Sequence, residues 1–535
     1  MTSDFNIGAS NKVKEFSMKL LVCSFLVIFL LSSTGNIGRA NSARREITVE
    51  RGAEGEKISV RTGLVDYLFY EKGGTLRSVF LHFASYGSKQ AELVTGTTTD
   101  PKTLKRSFLK GAQFPGQLSM GEESDGQVDY ELAELTREKG EEKLFLRFEG
   151  KWQGLEISKE YTIYNRPNYT FDLVVGIKNE TGEPLASESL DLYLGTRRER
   201  EDQGNIRYLS DPSVQYIFDG EVNNGVLASG SYNRFGGAGF VGSDLVFFLK
   251  NDAREDGDKA KITPFYSDGS LGVHLLGKEV GAGDEVKRPF TLYAGRRRHV
   301  MMSEAGLAKI DEIGIFSQLL VPVINFLNRL YKLTGNYGWA IILFTILIRV
   351  LLYPLMRNMY HSMAKMQELQ PKIKEIQEKY EDDKEQQQKE MMKIYKEEGV
   401  NPLGGCLPMF IQLPILILLW RAILYSAEAI HLSPGFLWLN DLSVHDPYYI
   451  LVALTVGIMI LQQQLMQTPG AGGGGGGQNK FIGLIFPLFM GVMLHNFPAG
   501  LWLYYFLTTL FQVGQQYFIN WEMKKSEATE EGGDA

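Results

Sequence analysis

Cysteine is nearly absent from this 535-residue chain, and the two present, Cys23 and Cys406, lie in or beside apolar runs. The polar half has none, which excludes a disulfide framework there, even in an oxidising compartment. Histidine is scarce too. The seven residues are scattered, with no HxxxH or Cys/His spacing that suits a metal. An excess of positive charge is missing: the formal net charge is -7 and the pI is near 5.7, which argues against direct nucleic-acid recognition. From Phe481 to Phe518 there is no Asp, Glu, Lys or Arg at all. No catalytic constellation is visible anywhere, so the chain reads as a non-enzyme without a cofactor.

The mean hydropathy of -0.13 averages two unlike halves. Residues 45–310 are polar and strand-like, whereas residues 338–518 are dominated by apolar runs. Ahead of both, Lys12, Lys14 and Lys19 precede the apolar core Leu20–Leu31. That is the pattern of a signal peptide or a signal-anchor, and either one exports the polar half. Residues 1–44 are therefore read as this segment with its flanks, Gly38-Arg-Ala40 fitting a small-x-small cleavage site.

In the polar half, the runs 143–149, 155–163, 169–175 and 244–250 alternate polar and apolar residues. Such runs, punctuated by Gly, Asn and Asp, predict antiparallel strands with one buried face and a large all-β sandwich over 45–310. Gly237-Ala-Gly239-Phe-Val-Gly242 matches G-x-G-x-x-G. The dinucleotide motif must open a helix, and a strand-like run comes next here, so a glycine-rich turn between strands is expected.

Residues 311–336 carry apolar residues at helical spacing with Gln318, Asn325, Asn328, Arg329 and Lys332 interspersed, which suits a helix lying in the membrane interface. Five apolar spans come after it: 338–355; 406–425, broken by Pro408 and Pro414; 448–465; and a hairpin of 481–494 and 501–518 around His495-Asn-Phe-Pro-Ala-Gly500. Several hold only about 14–18 residues against the usual ~20, and short spans thin the bilayer around them. Residues 356–400 carry nine Lys/Arg and residues 427–447 none. The first segment is therefore expected in the cytoplasm and the second outside, which puts 45–310 outside and the C-terminus inside. The 356–400 segment repeats apolar residues at three- and four-residue intervals on either side of Glu381-Asp-Asp-Lys384, predicting a cytoplasmic helical hairpin. Residues 522–535 form an acidic tail.

Within the first span stands Arg349, about 16 Å into an apolar core of about 30 Å. A cation at that depth costs at least about 2.5–3.5 kcal/mol. The nearest acid along the chain is Glu368, beyond the run. Arg349 is expected to face water or a polar cavity inside the membrane; the alternative is a carboxylate on another helix, Glu428 being the candidate. Thr345 lies four residues before it, Tyr505, Thr508, Gln512 and Gln515 keep helical spacing in the last span, and Gln412 sits in the second. Singly, these suit ordinary interhelical hydrogen bonds. Together they suggest a polar groove open to the cytoplasm. The rival class is a channel or ion-coupled transporter with a periplasmic ligand-binding domain, which would ordinarily show acidic or histidine relays.

Thr345-Ile-Leu-Ile-Arg-Val-Leu-Leu-Tyr-Pro354, Ser362-Met-Ala-Lys-Met366, Leu369-Gln-Pro-Lys-Ile373, Asn401-Pro-Leu-Gly-Gly-Cys-Leu-Pro408, Ile411-Gln-Leu-Pro414, Asp446-Pro-Tyr-Tyr-Ile450 and Phe497-Pro-Ala-Gly-Leu501 together resemble the YidC/Oxa family of membrane protein insertases, over about 311–521. The polar half is similar to the periplasmic β-sandwich of Gram-negative members. The resemblance implies a polytopic α-helical protein of the bacterial inner membrane. Its five-helix core, residues 337–521, would carry a periplasmic all-β domain. It implies a groove lined by Arg349, Thr345, Gln412 and Tyr505, to which the helical spacing adds Thr508 and Gln512. Lys365, Met366 and Lys372 become candidate hairpin contacts. The implied partners are nascent membrane proteins, the Sec translocon, the ribosome and membrane lipids. Two features depart from the family pattern: the glycine run Gly472–Gly477 and His495-Asn496.

Overall fold

Alternation of buried and exposed side chains organises the first half. Lys143–Trp152, Leu155–Tyr164 and Thr170–Asn179 each bury every second residue over most of their length, as strands covered on one face must. The computed structural model describes residues 46–52, 56–137, 143–187, 189–197, 201–209, 212–225, 234–252, 262–276, 278–311, 315–381, 383–399, 407–466 and 478–531. The N-terminal segment 1–44, Cys406 and the glycine run Gly472–Gly477 lie outside the described residues, as does the Met366 side chain. Contacts divide the chain into two units, one spanning Ser42–Ser317 and the other containing Gln318–Ala535.

The first unit is built on a nine-stranded antiparallel sheet. Its spatial order is Glu131–Arg137, Lys143–Trp152, Leu155–Tyr164, Thr170–Asn179, Glu285–Arg296, Leu245–Asn251, Phe235–Val241, Ser213–Phe218 and Glu221–Asn224. A six-stranded sheet that includes Val65–Tyr70 packs against it through aromatic rings. Phe69 lies 4.8 Å from Tyr161 and Tyr67 lies 5.5 Å from Phe171, centroid to centroid. This face-to-face packing of two sheets is the sandwich arrangement. A five-stranded sheet and a two-stranded ribbon complete the unit, with one short helix, α1 (His299–Glu304).

The expected glycine-rich turn is corrected in part: Gly242 opens the turn into Leu245–Asn251, its N–H donating to Leu245 O at 2.8 Å, but the other two glycines do not lie in it. Gly237 and Gly239 lie inside the strand Phe235–Val241, paired to Leu245–Asn251. A Cβ on Gly237 would meet Leu249 O at 2.5 Å and one on Gly239 would meet Phe248 Cδ2 at 2.5 Å. The glycines are there so that Phe248 can lie flat across the strand.

α2 (Ile315–Thr334) starts at the end of the first unit and leads into the second, where α3 (Tyr337–Glu368) comes next. The second unit continues through α4 (Gln370–Lys379), α5 (Lys384–Glu397), α6 (Leu407–Tyr425), α7 (Ala427–Leu432), α8 (Ile450–Met466), α9 (Gln478–Leu494) and α10 (Ala499–Glu531). Three boundaries differ from expectation. The helix of the first span does not end at Leu355 but runs through Pro354 to Glu368, and Pro414 does not break α6. An internal proline deletes one backbone bond and kinks a helix, but packed neighbours keep the helix going. Residues 522–531, expected as part of the tail, continue α10. Among the described residues, Tyr337–Met359 is long and apolar enough to cross a membrane, whereas Ile411–Tyr425, Ile450–Gln463 and Ile485–Leu494 are shorter apolar stretches.

Candidate functional site

Helical spacing places Thr345 and Arg349 on one face of α3. Thr345 is fully buried, and its Oγ1 donates to Ile341 O at 2.7 Å. Its hydroxyl therefore serves its own helix. Arg349 is 4% exposed, and its Nη2 donates to Gln412 Oε1 of α6 at 3.1 Å. Gln412 Nε2 in turn donates to the Tyr504 hydroxyl of α10 at 2.7 Å. One guanidinium, one amide and one phenol thus tie three helices together. A charged donor on a neutral amide makes a stronger bond than two neutral partners do.

Tyr505 is the groove residue expected from α10; it is partly buried against the apolar cluster to which its neighbour Tyr504 belongs, and Tyr504 is the tyrosine bonded to Gln412. Both precede Thr508 at helical spacing, three residues for Tyr505 and four for Tyr504, so the sequence alone did not separate them. Thr508 is buried on the Tyr504 face. One turn further on, Gln512 accepts from Gln462 Nε2 of α8 at 3.3 Å. Tyr504, Thr508 and Gln512 make a polar stripe along α10, facing α6 at one end and α8 at the other.

Packing is unequal on the two sides of this stripe. Towards the segment 427–446, a cluster of buried apolar residues joins α2, α3, α6, α8 and α10, including Ile341, Phe344, Ile423, Leu451, Trp502 and Leu507. On the other side of Arg349 the buried apolar cluster contains only Met356 and Met359 among the described residues, with Leu352, Ile411 and Phe518 against them.

The segment 427–446 is itself held by polar bonds. His431 Nδ1 lies 2.6 Å from Asp441 Oδ2, and Asp441 also accepts from the Ser443 hydroxyl and amide. Asp446 accepts from Trp438 Nε1 and from Leu451 N at the start of α8. Asn336 Nδ2 donates to Gly435 O at 2.8 Å. Leu442 O and Val444 O accept from Gly500 N and Ala499 N, the first amides of α10.

The hairpin candidates lie apart from the Arg349 network. Lys365 is exposed on α3. Lys372, on α4, pairs with Glu398 beyond α5 at 2.8 Å, so it closes the hairpin. Glu428, the candidate carboxylate partner for a membrane arginine, is buried in α7, and Arg421 is exposed.

Comparison with known proteins places this architecture. The 60Kd inner membrane protein family matches residues 329–527. The membrane protein insertase YidC of Syntrophus aciditrophicus is 31% identical over 505 residues, covering 91% of this chain and 89% of the relative. That of Laribacter hongkongensis is 33% identical over 394 residues, 70% of each chain. That of Wolinella succinogenes reaches 42% identity over 214 residues, 40% of this chain and 39% of the relative. A crystal structure of an active YidC insertase with the first transmembrane domain resolved is 23% identical, covers 94% of this chain and 99% of its own, and superposes with a TM-score of 0.49. With identity of 31% running through both the β unit and the helical unit, the chain belongs to the YidC family of membrane protein insertases.

Proposed function

We propose that this protein inserts nascent membrane proteins through a polar groove between α3, α6, α8 and α10, open to the cytoplasm and closed outside, without nucleotide or covalent chemistry. The observation that carries this reading is the Arg349–Gln412–Tyr504 network, in which a buried cation donates to an amide inside an apolar helix bundle. Five spans then cross the membrane, α3, α6, α8, α9 and α10, with the three shorter apolar stretches thinning the bilayer around them. Nine Lys/Arg between Met356 and Val400 and none between Ala427 and Pro447 orient α4 and α5, and the C-terminus, towards the cytoplasm. Among the described residues, the smaller apolar cluster then falls on the cytoplasmic side of Arg349, and the larger one falls outside.

A nascent chain enters from the cytoplasm, alone or beside the Sec translocon, with the α4–α5 hairpin receiving it or the ribosome. Its polar outer segment leaves water in steps, acidic groups being attracted by Arg349, and its apolar segment slides into lipid. Arg349 supplies an electrostatic well.

The test is a cysteine-accessibility scan along Tyr337–Met359 in a chain with Cys23 and Cys406 replaced. Labelling around Arg349 by a membrane-impermeant thiol reagent from the cytoplasmic side alone is expected. Labelling from both sides would indicate a pore and overturn the groove.

A further inference from the structure

Beyond Arg349, two rows of amide side chains face each other across α8 and α10. Gln462 and Gln463 end the face of α8 that carries Thr455 and Met459, both buried. Across from them, Gln512, Gln515 and Gln516 lie on consecutive turns of α10. Gln462 Nε2 bonds Gln512 Oε1 at 3.3 Å and fixes the two rows side by side. Gln516 is 2% exposed. The Oε1 atoms of Gln463 and Gln515 are buried and meet no hydrogen-bond partner among the described residues. Buried amide oxygens are ordinarily satisfied, and each exception asks for a reason.

A glutamine side chain presents the two polar groups of a peptide bond, a carbonyl acceptor and N–H donors, with no net charge. An extended polypeptide entering lipid has the converse need. Its backbone N–H and C=O groups lose water and have no helix yet to satisfy them. A charged lining would bind selected side chains. An amide lining accepts any sequence, because it matches the backbone. Resting on the groove reading above, we propose that Gln462, Gln463, Gln512, Gln515 and Gln516 form a backbone-binding subsite. It hydrogen-bonds the main chain of the polar segment in transit, independently of that segment's charge, and is separate from the electrostatic site at Arg349.

The two sites differ in their response to a substrate. Arg349 reads charge, whereas the glutamines read the length of unpaired backbone. The experiment compares the full-length protein with a Gln463→Leu/Gln515→Leu pair and a Gln463→Asn/Gln515→Asn pair, reconstituted in vesicles. The substrates are single-span membrane proteins with short or long outer segments of uncharged polar residues. The leucine pair should slow insertion of the long segment roughly five- to 150-fold, the value of two lost hydrogen bonds, and leave the short one unaffected. The asparagine pair, which keeps the amides, should stay close to the parent. Equal slowing for both lengths, or no slowing for either, overturns the subsite. A photoreactive residue in place of Gln463 or, separately, of Gln412 reports contact directly and does not depend on the leucine pair folding. Contact of the arrested substrate at both positions is expected. Contact at 412 alone overturns this inference and leaves the groove standing; contact at neither overturns both.

Discussion

At the scale of single residues, Arg349 carries the sharpest expectation. Arg349→Lys keeps the charge but loses the planar fork of donors, and should retain much of the insertion of substrates with acidic outer segments. Arg349→Ala should insert them poorly and Arg349→Glu worst, with uncharged substrates less affected throughout. In the protein itself, Arg349→Ala removes a charge-assisted bond to Gln412, worth about 1.5–3 kcal/mol. Measuring insertion of acidic and neutral substrates beside thermal stability in detergent separates these effects. Equal defects for all substrates, tracking lost stability, would sink the electrostatic role.

Glu92 in the β unit supplies a pH dependence. Burial pushes its carboxyl up from 4.5 to about 7, opposed by bonds from Ser78, Val79 and Val94 and by the charge of Arg106. A carboxyl whose folded value is raised holds its proton more tightly when folded. Its stabilising effect is therefore full below about pH 4.5 and is lost as pH rises through about 7. The total is on the order of 3 kcal/mol. The thermal midpoint of the β unit should fall between about pH 5 and about pH 8, and Glu92→Gln should flatten that slope. The sequence showed Glu92 only as one acid among many, because burial is a property of the assembled sheets. Arg349 was legible because a lone cation in an apolar run is anomalous wherever the helix packs. Tyr504 was not, since choosing between adjacent tyrosines requires the rotation of α10 about its axis.

At the scale of elements, period-two and period-3.6 patterns located strands and helices well, since burial on one face imposes them. Proline misled at α6, where tertiary packing carried the helix past Pro414. The glycines of Phe235–Val241 misled for the opposite reason. Their cause is a ring on the neighbouring strand, invisible in the local sequence. A similar close approach fixes α3. Gly338 lies where a Cβ would sit 2.2 Å from Phe436 Cγ. Gly338→Ala should therefore destabilise the helical unit by about 1–3 kcal/mol through overpacking. Adding Phe436→Ala should relieve the clash, so the double variant should lose less than the two single losses summed; strict additivity in thermal unfolding would argue against this contact. The hairpin of α4 and α5 is expected to act in substrate reception. Shortening 366–392 should impair insertion while the remaining helices stay folded by circular dichroism, and normal insertion would reduce it to a linker.

For the whole molecule, the division into a β half and a helical half was plain from hydropathy, and the Lys/Arg asymmetry gives a direction across the membrane. Protease added to spheroplasts should cut within 45–310 and spare 356–400; the reverse pattern would overturn the orientation. The β unit is built of stacked sheets, and a docking or spacing role is the expectation to be tested. Deleting most of 60–290 while keeping α2 should leave insertion largely intact, and complete loss from a stably folded deletion protein would refute that role. The sequence could not tell how the segment 427–446 is tied to the helices, because the bonds that do so join residues far apart in the chain.

Those bonds also set an order of assembly. Leu442 O and Val444 O are paired with the amides of Gly500 and Ala499. During synthesis the two carbonyls emerge first, and their partners arrive only after α8 and α9 have been made. At ribosomal speeds of about 5–20 residues per second, that interval lasts a few seconds. For that time the segment 427–446 lacks its last anchor, and the newborn protein carries an unlatched end that only its own final helix can close. Ribosome-bound chains stalled before Pro498 should therefore expose this segment to protease, and chains released after α10 should not.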